Sequence, residues 1–204
     1  MPLMLLCLDL PVAHQRLTSG DLRCPHAGCT GQLRPWGSAR ARTVRVRSDA
    51  VEQYIPRRAR CHACRGTHVL ASARTFPHRP DTATTVGAAL LASISGLGHR
   101  RVADQLGLPA TTVRGWLRRA RANQHETWST TTRRAIELDP MTDPFTPAEP
   151  PLVAVVGAVG QAIAAYVRRL GPVAEPWNVA VLATHGRLLA PPDPRTRRHP
   201  PDST

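Results

Sequence analysis

Two short cysteine pairs constrain this 204-residue chain more than any other feature. Cys24 and Cys29 enclose four residues, Cys61 and Cys64 enclose two, and 31 residues separate the pairs. Two knuckles of this kind supply the four soft donors that a tetrahedral metal site needs. The stretch between and beyond them reads as strands: "GQLRPW", "RTVRVRS", "EQYIPRRARC" and "THVLAS". In the second of these, Val44 and Val46 alternate with Arg45 and Arg47, the period-two pattern of a half-buried strand. Together these features predict a small β zinc ribbon with one structural Zn2+ on Cys24, Cys29, Cys61 and Cys64. Gly28, Gly31 and Gly66 stand beside the cysteines, where a positive φ would ease the turns.

Three competing readings of the cysteines remain. A disulfide framework needs an oxidising compartment, and unligated core cysteines would make two close pairs a coincidence. A redox Cys-x-x-Cys lacks the strand-then-helix setting that such chemistry uses. His26 and His62 can each replace a cysteine, because imidazole binds zinc, although four thiolates already close the site. A closed site leaves no position for water, so the ion is expected to be structural. Cys7, in the apolar run "LMLLCLDL", reads as a small buried hydrophobe.

The formal net charge is +13, and all 27 basic residues are arginine. Residues 21–122 carry 18 arginines against Asp21, Asp49, Glu52, Asp81 and Asp104, whereas residues 123–194 carry five arginines against seven acids. A GC-rich coding bias would favour arginine throughout and does not explain this asymmetry. A cationic segment beside a slightly acidic one points to a polyanionic partner, DNA or RNA.

After the ribbon the pattern turns helical. Asp81 is positioned to N-cap "TATTVGAALLASIS". In "HRRVADQLGLPATTVRGWLRRARA", Val102, Ala103 and Leu106 recur at helical spacing, as do Val113, Trp116 and Leu117. Gly107 would end the first helix, Leu108 would plug the core, and Pro109 suits the first position of the next helix. This is the pattern of a helix-turn-helix, whose second helix enters the major groove of double-stranded DNA. A compact helical hairpin shows the same spacing, but this second helix exposes only threonine and arginine. Thr111, Arg114 and Arg118 share one face and are the expected base contacts. Arg100, Arg101, Thr112, Arg119 and Arg121 are the expected phosphate contacts. Gly115, costly within a helix, is read as allowing close approach to DNA.

A four-cysteine ribbon followed directly by "GLPATTVRGWL" resembles the N-terminal head of insertion-sequence transposases. It also resembles short actinobacterial helix-turn-helix proteins of unknown function that lack a catalytic core. The resemblance covers residues 21–122 and implies a DNA-binding module with Cys24, Cys29, Cys61 and Cys64 as zinc ligands. The four-residue first knuckle departs from the commoner two and leaves the choice between Cys29 and His26 open.

The remaining acids do not assemble a nuclease. Of Glu126, Glu137, Asp139, Asp143, Glu149, Glu175, Asp193 and Asp202, half lie in the proline-rich "ELDPMTDPFTPAEP", and the tract behind it is too short for a strand-rich catalytic fold. No enzyme is expected. Leu152, Val156, Val159, Ile163, Tyr166 and Leu170 form a heptad-like seam, buried within the chain or shared by a homodimer. "PLVAVVGAVGQAIAAYV" is near the lower length for a membrane span and carries Gly157, Gly160 and Gln161, so a soluble helix is expected. The start of the chain lacks the basic flank of a secretory signal, which predicts a cytoplasmic, nucleoid-associated protein with no membrane partner.

The expected fold class is α+β: a zinc ribbon, an all-α helix-turn-helix domain and a C-terminal helical hairpin. The divisions are an N-terminal strand and turn (1–20), ribbon (21–78), helix-turn-helix (79–123), Thr/Pro/Asp-rich linker (124–150), hairpin (151–190) and disordered tail (191–204). The expected function is DNA binding without catalysis, as a transcriptional regulator or transposase-derived accessory protein. The alternatives are a fragment of a catalytic transposase, or an adaptor whose ribbon grips a protein such as RNA polymerase.

Overall fold

The computed structural model describes residues 3–46, 50–143, 146 and 150–191. The chain is α+β, with strands first and helices after. A four-stranded sheet runs β1 (Leu3–Cys7), β6 (Thr67–Ser72), β5 (Arg57–Cys61), β2 (Leu33–Ser38), and β3 (Arg42–Arg45) pairs with β4 (Val51–Tyr54) as a separate hairpin. The N-terminal strand is therefore part of the ribbon's sheet. It lies parallel to β6, from Leu3 opposite His68 to Cys7 opposite Ser72. One face of the sheet packs Leu33, Ala59 and Leu70 against Ala13 and Leu17 of α1 (Leu10–Ser19), which Asp9 caps by accepting from the Val12 amide.

The β3–β4 hairpin is tied to the start of the helical region by a buried ion pair. Arg45 Nη1 lies 2.8 Å from Asp81 Oδ1, and the Arg45 amide donates to the Pro80 carbonyl. Asp81 is 3% exposed. The cap of α2 (Ala83–Ile94) is consequently not Asp81 but Thr82, whose hydroxyl accepts from the Thr85 amide. An unpaired carboxylate at that depth would be costly, so Asp81 serves the arginine and a neutral hydroxyl serves the helix.

The next two helices are α3 (His99–Leu106) and α4 (Ala110–Ala122). Gly107 closes α3 with φ 62°, a left-handed cap that a β-carbon would strain. Leu108 packs on the core behind it, and Pro109 stands just ahead of α4 as its N-cap rather than as its first residue. Val102, Ala103, Val113, Trp116 and Leu117 are buried with Phe76, Val86 and Leu90. The same core also holds Leu152, Val155, Val181, Leu188 and Leu189. Residues 152–189 thus complete the core of α2–α4.

Residues 124–138, expected as linker, form the helix α5 (Gln124–Leu138). Threonine-rich sequence disfavours helix intrinsically, but tertiary packing prevails. Thr127, Thr131 and Ala135 make a buried stripe of small residues, and Ala135 meets Ala162 and Ala165 of α6 (Pro151–Leu170). The Thr131 hydroxyl donates back to the Thr127 carbonyl, which satisfies it inside the helix. Of the expected linker, residues 144, 145 and 147–149 lie outside the described residues, as does the expected tail from 192 onward.

The predicted seam on α6 is displaced. Leu152 and Val159 are buried, but Val156, Ile163 and Tyr166 are only half-buried and Leu170 is 60% exposed. The face that packs is Ala154, Val155, Ala158, Ala162 and Ala165, where small side chains admit α5 on one side and α7 (Pro176–Ala183) on the other. By length and composition α6 is apolar enough to cross a membrane; here it is the central helix of the C-terminal half. Asn123, 5% exposed, fastens the chain end by donating from Nδ2 to the carbonyls of Arg187, Leu188 and Ala190 at 3.0–3.1 Å.

Asn123→Ala removes these bonds and leaves buried carbonyls without a donor. It should lower unfolding free energy by about 1–3 kcal/mol in a denaturant titration. Met141→Ala, at a side chain 89% exposed, should change it by less than about 0.5 kcal/mol.

Candidate metal centre and basic surfaces

The two cysteine knuckles are built by short backbone bonds. The Cys24 amide donates to the Gly31 carbonyl, the Cys29 amide to the His26 carbonyl, and the Cys61 amide to the Gly66 carbonyl. β2 and β5 then bring the knuckles together, with Leu33 opposite Cys61 in the antiparallel register. The result is four sulfur atoms within 4.8 Å of one another. Cys24 Sγ lies 3.7 Å from Cys64 Sγ, and Cys29 Sγ lies 3.6 Å from Cys61 Sγ. Four cysteines predicted from spacing therefore converge on one point and can hold a metal ion.

The glycines act differently from expectation. Gly28 has a positive φ, but Gly31 and Gly66 do not; in the second knuckle the left-handed residue is Arg65, at φ 62°. Gly31 is small for a spatial reason, because a β-carbon there would fall 2.5 Å from Cys61 Sγ.

Electrostatics show why the cluster suits a cation. Burial pushes the Cys24 thiol up to about 12, reinforced by the thiols of Cys64, Cys61 and Cys29 and opposed by a backbone bond from His26. Burial also pushes Cys61 up, but backbone hydrogen bonds from Cys64 and Ala63 outweigh it. With the Cys29 and Cys64 thiols they bring it down to about 6. Cys61 forms its thiolate readily while Cys24 resists, as expected when crowded thiols share one negative charge.

His62 is outside the cluster; its Nδ1 accepts from the Gln32 amide at 3.0 Å. His26 is at its edge, with Nδ1 3.4 Å from Cys64 Sγ. A residue the sequence reading passed over is His68. It is fully buried, its Nε2 lies 3.7 Å from Cys24 Sγ, and its ring meets His26 edge-to-face at 5.3 Å. Burial, then the neighbouring His26, lowers its pKa and keeps the imidazole neutral. Cys24, His26 and His68 make a second convergent donor set. It shares Cys24 with the first, so the two cannot be filled together. The sequence signal was slight: a histidine inside the apolar strand "THVLAS".

On the helices, Thr111, Arg114, Arg118 and Arg121 of α4 and Arg100 and Arg101 of α3 are exposed, while Thr112 and Arg119 are half-buried. Arg119 Nη1 donates to the Gly115 carbonyl, and a β-carbon on Gly115 would fall 3.1 Å from that nitrogen. The glycine accommodates this arginine on its own helix. A second group of cations, unremarked in the sequence reading, lies on the ribbon's outer face beside Trp36, where Arg34 is exposed and Arg58 and Arg60 are half-buried.

No protein family, curated protein or solved structure matches the chain, so the site is read from its own geometry. Elemental analysis of metal-loaded protein should give about one ion per chain for wild type and for His26→Ala, and none for Cys61→Ser. Loss of the ion in His26→Ala would make that imidazole a ligand.

Proposed function

We propose that the protein binds double-stranded DNA without catalysis, with α3 and α4 acting as a helix-turn-helix and the four cysteines holding one structural zinc ion. The observation that carries the DNA reading is the two-sidedness of α4. Val113, Trp116, Leu117 and Ala120 are buried, while Thr111, Arg114, Arg118 and Arg121 face solvent with no carboxylate paired to them among the described residues. Unneutralised arginines on the free face of a helix suit a phosphate backbone, and the threonine and arginine near its N-terminus suit base edges.

The zinc assignment is supported by size. Thiolates about 2.3 Å from a tetrahedral zinc stand about 3.8 Å apart, close to the 3.6 and 3.7 Å of the two sulfur pairs. Zinc would close the site with four cysteines, fixing the knuckles and supplying no reactive position. The protein would act in the cytoplasm, away from membranes, where these thiols stay reduced. It would serve as a regulator or as an accessory protein derived from a transposase.

Against a catalytic fragment stands the employment of the carboxylates. Glu126 pairs with Arg187, Glu137 with Arg134 and Asp139 with Arg168, each at a different place. Recognition of two half-sites would need a homodimer, and its α6 contact would have to use Ile163, Tyr166 and Leu170, since Leu152 and Val159 are already buried.

Selection of bound sequences from random duplexes should enrich a motif with wild type. Arg114→Ala should lose preference at one or two positions, at a cost of about 1–3 kcal/mol. Failure of the wild type to enrich any motif sinks sequence-specific recognition. Uniform weakening with the motif intact would move Arg114 to the phosphate contacts.

A further inference from the structure

The ribbon's sheet has two unlike faces. Leu33, Ala59 and Cys61 point toward α1 and the knuckles. Alternation sends Arg34, Arg58 and Arg60 to the other side, and Trp36 joins them beneath the Arg60 guanidinium. Arg34 stands directly opposite Arg60 across the β2–β5 ladder. Like charges in that position destabilise a sheet, so the arrangement is unfavourable unless an anion covers it. No ion pair among the described residues uses Arg34, Arg58 or Arg60; those present use Arg45, Arg74, Arg134, Arg168 and Arg187.

Within this patch Trp36 is 50% exposed, with the Arg60 guanidinium 4.6 Å from its ring centroid. Arg60 is itself steadied by donation from Nε to the Arg65 carbonyl. An indole backed by a guanidinium and left half open is a stacking platform. Around it, unpaired arginines supply contacts for a phosphate chain. That combination fits a ligand with flat apolar rings joined by anions, which is nucleic acid with unpaired bases. A closed duplex offers its bases only at their edges and cannot use the ring.

We infer that the outer face of the ribbon, centred on Trp36 and Arg60, binds a single strand of DNA, with a base stacked on Trp36 and the adjoining phosphates on Arg34 and Arg58. The choice of DNA over RNA rests on the reading of α4 above; the stacking site itself does not. The molecule then has two nucleic-acid surfaces of different character, a helix for paired DNA and a sheet for a strand that has opened.

The test is fluorescence anisotropy of a labelled oligothymidylate with the zinc-loaded full chain, at about 50 mM and about 200 mM salt. Wild type is expected to bind and to weaken steeply with salt. Trp36→Ala should weaken binding by about tenfold or more and Arg60→Ala by several-fold, whereas Trp36→Phe retains a ring and most of the affinity. Trp36 is exposed, so thermal melting should show all three folded. Absence of wild-type binding at the lower salt, or a Trp36→Ala affinity within about twofold of wild type, overturns the proposal. Displacement by oligouridylate at concentrations about tenfold lower than oligothymidylate overturns the assignment to DNA. Duplex selection that is indifferent to Arg114 would defeat the α4 reading and leave the oligothymidylate result standing.

Discussion

Four sulfur atoms meeting within 4.8 Å are the constraint on which the N-terminal half depends. The apolar core beneath the sheet is small, little more than Leu17, Leu33, Ala59 and Leu70 with a few neighbours. A module of that size is marginal without a cross-link. A metal ion held by the cysteine cluster would join the turn before β2 to the turn after β5, and so fix the hairpin on which the ribbon is built. From there order passes along β6 to Ala73 and Phe76, which belong to the helical core. The Arg45–Asp81 pair makes a second link between the two halves. Its removal on one side would leave a buried charge without a partner.

What was legible in the sequence was local. The cysteine spacing, the valine–arginine alternation and the Gly107–Leu108–Pro109 turn each carry their own chemistry over a few residues. The cysteines converge, the alternation is a strand as far as Arg45 with Arg47 outside the described residues, and the turn forms with Pro109 one position ahead of its helix. What was hidden depends on distant partners. α5 is a helix because Thr127, Thr131 and Ala135 find alanines on α6, something no propensity reveals. The seam on α6 was misplaced because a heptad count favours large side chains, whereas two close neighbours select the alanines between them. Asp81 looked like a cap until Arg45, 36 residues earlier, claimed it. His68 reached the cysteines only through the pairing of β5 with β6, which sets it opposite Ala59.

The distribution of ion pairs gives the charge asymmetry its physical meaning. Three of the five pairs among the described residues, Arg134–Glu137, Arg168–Asp139 and Arg187–Glu126, lie wholly after residue 122. The C-terminal half largely neutralises itself. In the ribbon and in α3–α4 most arginines have no such partner, so the net charge is a property of two faces rather than of the molecule at large. A field confined in this way can orient an approaching polyanion before any contact forms.

The sharing of one core between α2–α4 and the final segment bears on how the chain is made. Synthesis delivers the ribbon and α2–α4 long before Val181, Leu188 and Leu189. The nascent ribbon can close on its own cysteines. The helices behind it must wait, with Trp116 and Leu117 uncovered, until residues near position 190 have left the ribosome and Asn123 has taken their carbonyls. Residues 181–190 bolt the helical half, and a message interrupted before them would yield a folded ribbon attached to helices with an open core.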